Sequence, residues 1–501
     1  MKAKILSGFL VSLFLPASLF AQAANPFLSM DYWEANPSIE EIEAEIAKGH
    51  SITEPNSSGF DATAYSILGR APLETVTYLL DKGIDVNTVA HGARYVYWAG
   101  YRGNLPLVKH LIENGASIEK GESDSYTLLL FSALGGELNP EMADYLISQG
   151  ADLKNEVTKN GANAMHLTSH KFSDISEAKY FIDNGIDLNA KDNDGNGIFY
   201  YAARGGKIEL LNDLIEMGLD YKERNSQGGN AFLSAVRNSE NTVAFFEYLE
   251  GLGLDPNVKT DDGYTPLHRL AFGADDTEAI EWFVAKGVDP NAVDVSSGNT
   301  ALINAVFYND NTPVVEYFAE RTNDINHQNN DGYSALTRAI RSASVEMTSY
   351  LLELGADVNV LDKEGDNLYA FLLDRYRPGS EENFIAKFEL LQESGLDEKA
   401  PQSDGKTLYH LAADNENLEL FKLITELTAV DINAKDNEGY TAMHYVAMKA
   451  KDDATLKYLI SIGADVNATT DFEESPFDLA SENELLLANG TDLGFLSETP
   501  E

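Results

Sequence analysis

Two histidines four residues apart, in His166-Leu167-Thr168-Ser169-His170, are the nearest this sequence comes to a metal site. On a helix, positions i and i+4 share one face, and two imidazoles there would hold zinc if a carboxylate or a third histidine joined them. No His-Glu-x-x-His pattern accompanies them, so the pair brings no base to activate a bound water. Asp192-x-Asp194-x-Asn196-Gly197 matches the first half of a calcium loop, but the twelfth position, where a bidentate glutamate belongs, is Ala203. There is no Gly-rich phosphate loop, no Gly-x-Ser-x-Gly elbow and no cysteine. The carboxylates are many but scattered, so no acid–base pair stands out. The expectation is a protein that is not an enzyme and needs no cofactor. A hydrolase or metal-binding module embedded in the chain is the alternative.

Charge narrows the partners. The 501 residues carry 36 Lys and Arg against 81 Asp and Glu, a net charge of −45. Lys2 and Lys4 precede an apolar run from Ile5 to Phe20, and Ala21-Gln22-Ala23 is a small-x-small cleavage site. Residues 1–23 therefore read as a secretory signal peptide; the run is short for a membrane anchor and Pro16 interrupts it. The expected address is export, to the periplasm of a Gram-negative cell or, alternatively, secretion beyond it. Without Lys2 and Lys4 the balance is 34 basic against 81 acidic residues, a net charge of −47. Such a body repels phosphate backbones and anionic membranes, so neither a nucleic-acid partner nor membrane insertion after cleavage is expected. The absence of cysteine excludes disulfides, and the chain must hold together by packing alone.

What positions these side chains is a repeated sentence. Its clearest copy opens Asp261-Asp262-Gly263-Tyr264-Thr265-Pro266-Leu267-His268 and closes Gly287-Val288-Asp289-Pro290-Asn291. A second runs from Asp436-Asn437-Glu438-Gly439-Tyr440-Thr441-Ala442-Met443-His444 to Gly463-Ala464-Asp465-Val466-Asn467. Closing glycines recur at 83, 115, 150, 185, 218, 253, 287, 355, 395 and 463, with Thr322 and Ala429 filling two further slots. Most intervals are close to 33 residues, and a turn glycine follows each closer in constant phase. The opener and closer together resemble the ankyrin repeat: a hairpin turn, two short antiparallel helices and a loop.

That resemblance implies an all-α solenoid of about 13 helix-turn-helix units with short hairpin turns. Its expected parts are an N-terminal capping unit over residues 31–58, repeats over 59–467, a C-terminal capping unit over 468–495 and a tail over 496–501. Residues 24–30 are expected to be a loose N-terminus, and the first helix of the 59–83 unit to be degenerate. The 40-residue interval from Gly355 to Gly395 places an inserted loop at Arg377-Pro378-Gly379-Ser380, between two helices. The resemblance also implies a scaffold role for His166, His268, His410 and His444, tying the turn and the neighbouring repeat. Asp192–Gly197 becomes an ordinary hairpin turn.

Ankyrin proteins bind partners along the hairpin tips and the ends of the first helices, which line the concave groove. Two residues at each first-helix end, over eleven units from Ala90 onward, give 22 positions. Seven are basic (Arg102, Lys171, Arg204, Arg237, Arg341, Arg375, Lys449) and two are acidic. Chain-average composition would give about 1.6 and about 3.6, so the row inverts the overall charge. Tyr101, Phe272, Phe307 and Tyr308 join it, and Tyr264, Tyr333 and Tyr440 stand at turn tips. Arginine with aromatic residues is the make-up of interface anchors. The expected function is a protein-binding scaffold whose partner presents an acidic or mixed surface, as a periplasmic immunity protein or an enzyme's partner would meet. Pairing of these arginines with Asp and Glu of adjacent hairpins is the competing explanation, and a host-directed secreted effector is a third functional reading.

Overall fold

A computed structural model describes residues 25–119, 126–222, 224–309 and 311–497. The signal peptide assigned to residues 1–23 lies outside them. They contain 28 α-helices and one two-stranded ribbon, Val89–Ala90 with Ala93–Arg94. The chain divides into two compact units, ending and beginning at Asn193 and Asp194. The first holds five helix pairs and the second nine, one more in total than the sequence suggested.

The expected N-terminal capping unit begins earlier than residue 31. Pro26–Leu28 forms a 3-10 turn and Met30–Glu34 a helix that pairs with Ile39–Ala47. Phe27 and Trp33 are fully buried and stacked at 5.8 Å, and Trp33 Nε1 donates to Phe27 O at 2.8 Å. Residues 25–30 are thus anchored rather than loose: three aromatic side chains close together outweigh the lack of a periodic apolar pattern. The 59–83 unit also has a regular first helix, Ala62–Leu68, capped by Asp61. Its buried face uses Thr63 and Ser66, which an apolar pattern search passes over.

Within each unit the two motifs have separate jobs. In the closer, the Asp carboxylate accepts from the Asn backbone two residues on, as in Asp289 and Asn291 at 2.9 Å. The Asn amide then bridges to the next repeat: Asn291 donates to Arg321 O at 3.1 Å and accepts from Asn323 N at 2.7 Å. The opener caps the first helix. Thr441 N donates to His444 Nδ1 at 3.0 Å, and the other ring nitrogen meets Ala468 O of the following repeat at 3.1 Å. Gly263 lies at a φ of +85°, and a Cβ there would stand 2.2 Å from Val293 O, so the tip admits no side chain.

First helices carry small residues where neighbours approach: Ala203, Ala271, Ala339 and Ala447 are fully buried. Second helices bury one apolar stripe, such as Phe246 with Leu249, Ile280 with Phe283, and Phe388 with Leu391. Each stripe is covered by the adjoining pair, which is why a single repeat has no core of its own. The expected loop at Arg377–Ser380 separates Leu368–Asp374 from Glu381–Glu393, a 13-residue helix.

Candidate functional site

The side chains expected to bind a partner stand at the C-terminal ends of first helices. Tyr101 ends Tyr95–Tyr101 and Arg102 caps it; Arg204 caps Ile198–Ala203; Phe307 and Tyr308 end Ala301–Tyr308. Arg341 lies in the last turn of Ala335–Ser342, Arg375 caps Leu368–Asp374, and Lys449 ends Ala442–Lys449. Arg237 and Phe272 follow the caps of the short helices Phe232–Ala235 and Pro266–Leu270. A helix C-terminus carries partial negative charge, which suits a cation at that position.

In the first unit, Tyr101 packs on Phe131 at 5.7 Å and on Trp98 at 5.9 Å. Burial, reinforced by the neighbouring Arg70 charge, lowers the pKa of Arg102, and its Nε is enclosed without a hydrogen-bond partner. Arg70 in turn donates to Arg102 O at 3.2 Å and to Glu137 at 3.0 Å. Lys171 is exposed, beyond the helix Ala164–Thr168. That helix stops before His170, so His166 and His170 do not share a helical face as expected. His166 is fully buried, accepting from Asn163 N at 3.2 Å through Nδ1 and reaching Ala190 O at 2.9 Å through Nε2. With both ring nitrogens engaged it has no lone pair for zinc. Among the described residues no group of three or more His, Asp or Glu is placed to hold a metal ion.

The second unit carries a longer array. Phe272 stacks on Tyr308 at 4.4 Å, and Tyr308 meets Phe307 edge to face at 4.5 Å. Arg338 lies over Phe307 at 4.3 Å and over Tyr333 at 4.7 Å. Arg341 lies over Tyr333 at 5.7 Å and Phe371 at 5.9 Å, and the two rings are themselves edge to face. Arg269 reaches Phe272 at 5.7 Å. Rings and guanidinium planes so alternate across consecutive repeats, a cation–π arrangement that holds each arginine flat. Tyr440 packs on Tyr445 at 5.4 Å, which Lys406 and Lys449 approach. Tyr264 stacks on His268.

Carboxylates sit inside this array. Asp374 takes Arg341 at 3.7 Å and Arg375 at 3.5 Å; Asp414 takes Lys449 at 2.7 Å and Lys406 at 3.4 Å. Arg237 is exposed, and its side chain makes no ion pair among the described residues. Arg269, Arg338, Phe371 and Tyr445 are members that the reading of helix ends passed over. Arg338 lies three residues before Arg341, on the same side of the helix, and that spacing was the available signal.

Burial lowers the pKa of His268, His410 and His444 as it does that of His166, so all four are held neutral. Their geometry is that of a structural tie, with no open face toward a ligand.

The family model for ankyrin repeats in three copies matches residues 95–192, 128–225, 232–329, 267–362 and 380–470. Alpha-latroinsectotoxin-Lt1a of Latrodectus tredecimguttatus is 23% identical over 354 residues, covering 68% of this chain and 22% of the toxin. E3 ubiquitin-protein ligase KEG of Arabidopsis thaliana is 23% identical over 300 residues, 57% of this chain and 18% of the ligase. A putative ankyrin repeat protein of Rickettsia felis is 26% identical over 293 residues, 58% of this chain and 72% of the relative. The chain thus spans about a fifth of the length of the toxin and of the ligase. Ankyrin repeats are a protein-binding scaffold and generally carry no catalysis. With most of its length matched and its openers and closers making the expected bonds, this chain belongs to the ankyrin-repeat family.

Proposed function

We propose that this protein is an exported, non-enzymatic scaffold that grips another polypeptide through the ring-and-guanidinium array of residues 264–375, with Arg204, Arg237, Tyr440 and Lys449 as further contacts in the same unit and Tyr101, Arg102 and Lys171 as separate candidate contacts on the first unit. The observation that carries the proposal is Tyr308. It is 54% exposed, although it is a large aromatic side chain stacked on Phe272 and flanked by Phe307. An exposed, rigid aromatic beside arginine is what a binding hot spot is made of, because little entropy is lost when it is covered. The basic signal-like segment ahead of an apolar run supports export, and the periplasm is the proposed address. There a cysteine-free scaffold could serve as an immunity protein or as an enzyme's partner. The net charge of −45 argues for a protein partner over a nucleic acid.

The test is capture from periplasmic extract by the full chain and by an Arg237→Glu, Phe272→Ala, Tyr308→Ala variant. Capture of a defined partner should fall about tenfold or more, with the thermal midpoint nearly unchanged. Equal capture by both proteins would remove the array from the function.

A further inference from the structure

The inserted loop after Asp374 makes a pocket. Arg377 and Pro378 close one side of a cavity of about 780 Å³ that extends from Tyr333 to Asn417. That volume falls within the range of sites that bury a ligand or a few residues of peptide. The rings of Tyr333 and Phe371, 5.3 Å apart, form part of its wall. Asp362, Glu364, Asp366 and Asp374 of one repeat and Asp414 of the next line it, against two arginines.

Both arginines are already occupied. Arg377 donates to Asp374 O at 2.9 Å and to Tyr376 O at 2.6 Å. Arg341 is shared between Asp374 and the two rings. Lys406 is divided between Asp404 and Asp414. The Asp366 carboxylate has neither a hydrogen bond nor an ion pair among the described residues, although it is half-buried. Burial and the charges of Asp362 and Asp404 raise its pKa, outweighing the opposing charge of Lys406.

We propose that the pocket takes an arginine side chain from the partner polypeptide, its guanidinium set between Asp366 and Asp362 and beside the Tyr333 and Phe371 rings. The proposal rests on the polypeptide-binding reading above and supplies the basic half of a mixed partner surface. A planar, weakly hydrated cation fits an aromatic wall with carboxylates better than an ammonium does. Arg341 already shows the same kind of contact from within the fold, to these two rings and to Asp374. A metal ion is the poorer occupant, since no three of these carboxylates converge on one point.

The experiment is calorimetric titration of the full chain with the capped peptide Gly-Ser-Gly-Arg-Gly-Ser-Gly and with its Lys, norleucine and Glu replacements. The arginine peptide should bind, weaken as salt is raised, and lose about tenfold or more in affinity to Asp366→Asn. The lysine peptide should bind more weakly, and the norleucine and glutamate peptides not at all. Asp366→Asn should leave the thermal midpoint unchanged or raise it, because it removes an unpaired charge; a purely structural aspartate would lower it. Equal binding of norleucine and arginine peptides, or an arginine affinity indifferent to Asp366→Asn, would overturn the pocket. Partner capture lost in the Tyr308 variant but kept in Asp366→Asn would sink the pocket and leave the array. Arginine-peptide binding that Asp366→Asn abolishes, alongside capture indifferent to Arg237, Phe272 and Tyr308, would do the reverse.

Discussion

The repeat opening at Asp261 and the repeat opening at Asp362 follow one plan and are joined to their neighbours by different chemistry. In the first, His268 accepts from Thr265 N at 3.1 Å and reaches forward to Asn299 O at 3.3 Å. In the second, the histidine position is Ala370 and the tie runs backward. Gln402 of the next repeat accepts from Asn367 N at 2.8 Å and donates to Asn367 Oδ1 at 3.0 Å. The second helices differ as well, eight residues in Glu278–Ala285 against 13 in Glu381–Glu393. The longer helix brings Lys387 to within 2.7–3.0 Å of the carbonyls of Ala339, Ile340 and Ala343, at the end of the helix that bears Arg338 and Arg341. The difference teaches that the repeat's hydrogen-bond requirement is fixed while the residues that meet it are not. Where the usual histidine is missing, an amide of the following repeat takes its place.

The largest effects should fall on what the two repeats share. Phe283→Ala and Phe388→Ala each remove a fully buried ring, and each should lower unfolding free energy by about 3–5 kcal/mol in denaturant titration. A gap of more than about 2 kcal/mol between them would show that the cores are not equivalent. Next comes Lys387→Met, which removes the Lys387 donor from Ile340 O and Ala343 O and leaves Ala339 O with Ala343 N alone, and should be about 2 kcal/mol less stable. Burial brings the Lys387 pKa down to about 8 from 10.5. Between those values the unfolded chain holds the proton that the folded chain has released, so stability should rise with pH across that window. The variant should lack this rise, and a parallel pH profile would refute the assignment.

A smaller effect separates the two joints directly. The pKa of His268 is lowered by burial, so as pH falls below about 6.5 the unfolded chain takes up the proton first and stability is lost. The slope from one histidine cannot exceed about 1.4 kcal/mol per pH unit. His268→Gln should lose about 1 kcal/mol at neutral pH and flatten the acid limb. Gln402→Leu should lose stability without altering the acid limb, since an amide pair does not titrate; a changed limb would erase the distinction. Least of all, Arg375→Ala should move stability by under about 0.5 kcal/mol, because its pairing with Asp374 is solvent-exposed.

The repeat period was legible because two landmarks carry it, a glycine that must adopt positive φ and an Asp-x-Asn whose Asp bonds locally and whose Asn reaches the next repeat. Met30–Glu34 was not legible, being five residues held by Phe27 and Trp33 rather than by an apolar period. Ala62–Leu68 was hidden because Ser66 satisfies its hydroxyl on Thr63 O at 2.7 Å and so serves as a core residue. In the candidate site, the helix ends gave Arg341, Phe307 and Tyr308. Arg338 and Phe371 were missed, since which rings flank a guanidinium depends on side chains from three repeats meeting in space. That Asp366 has no ion pair depends on what Arg341, Arg377 and Lys406 already hold, and sequence spacing carries no record of that.

The amide pair between Asn367 and Gln402 has one more consequence. It is a lock whose two halves are encoded 35 residues apart, in different modules. Ankyrin units are often treated as interchangeable bricks, but this one cannot be transplanted alone: moved without its successor it leaves the buried Asn367 N–H without an acceptor, and replaced by a histidine-type brick it strands the glutamine. Evolution by duplication or shuffling of units would have to copy or exchange the two together, so this joint should behave as a single heritable block.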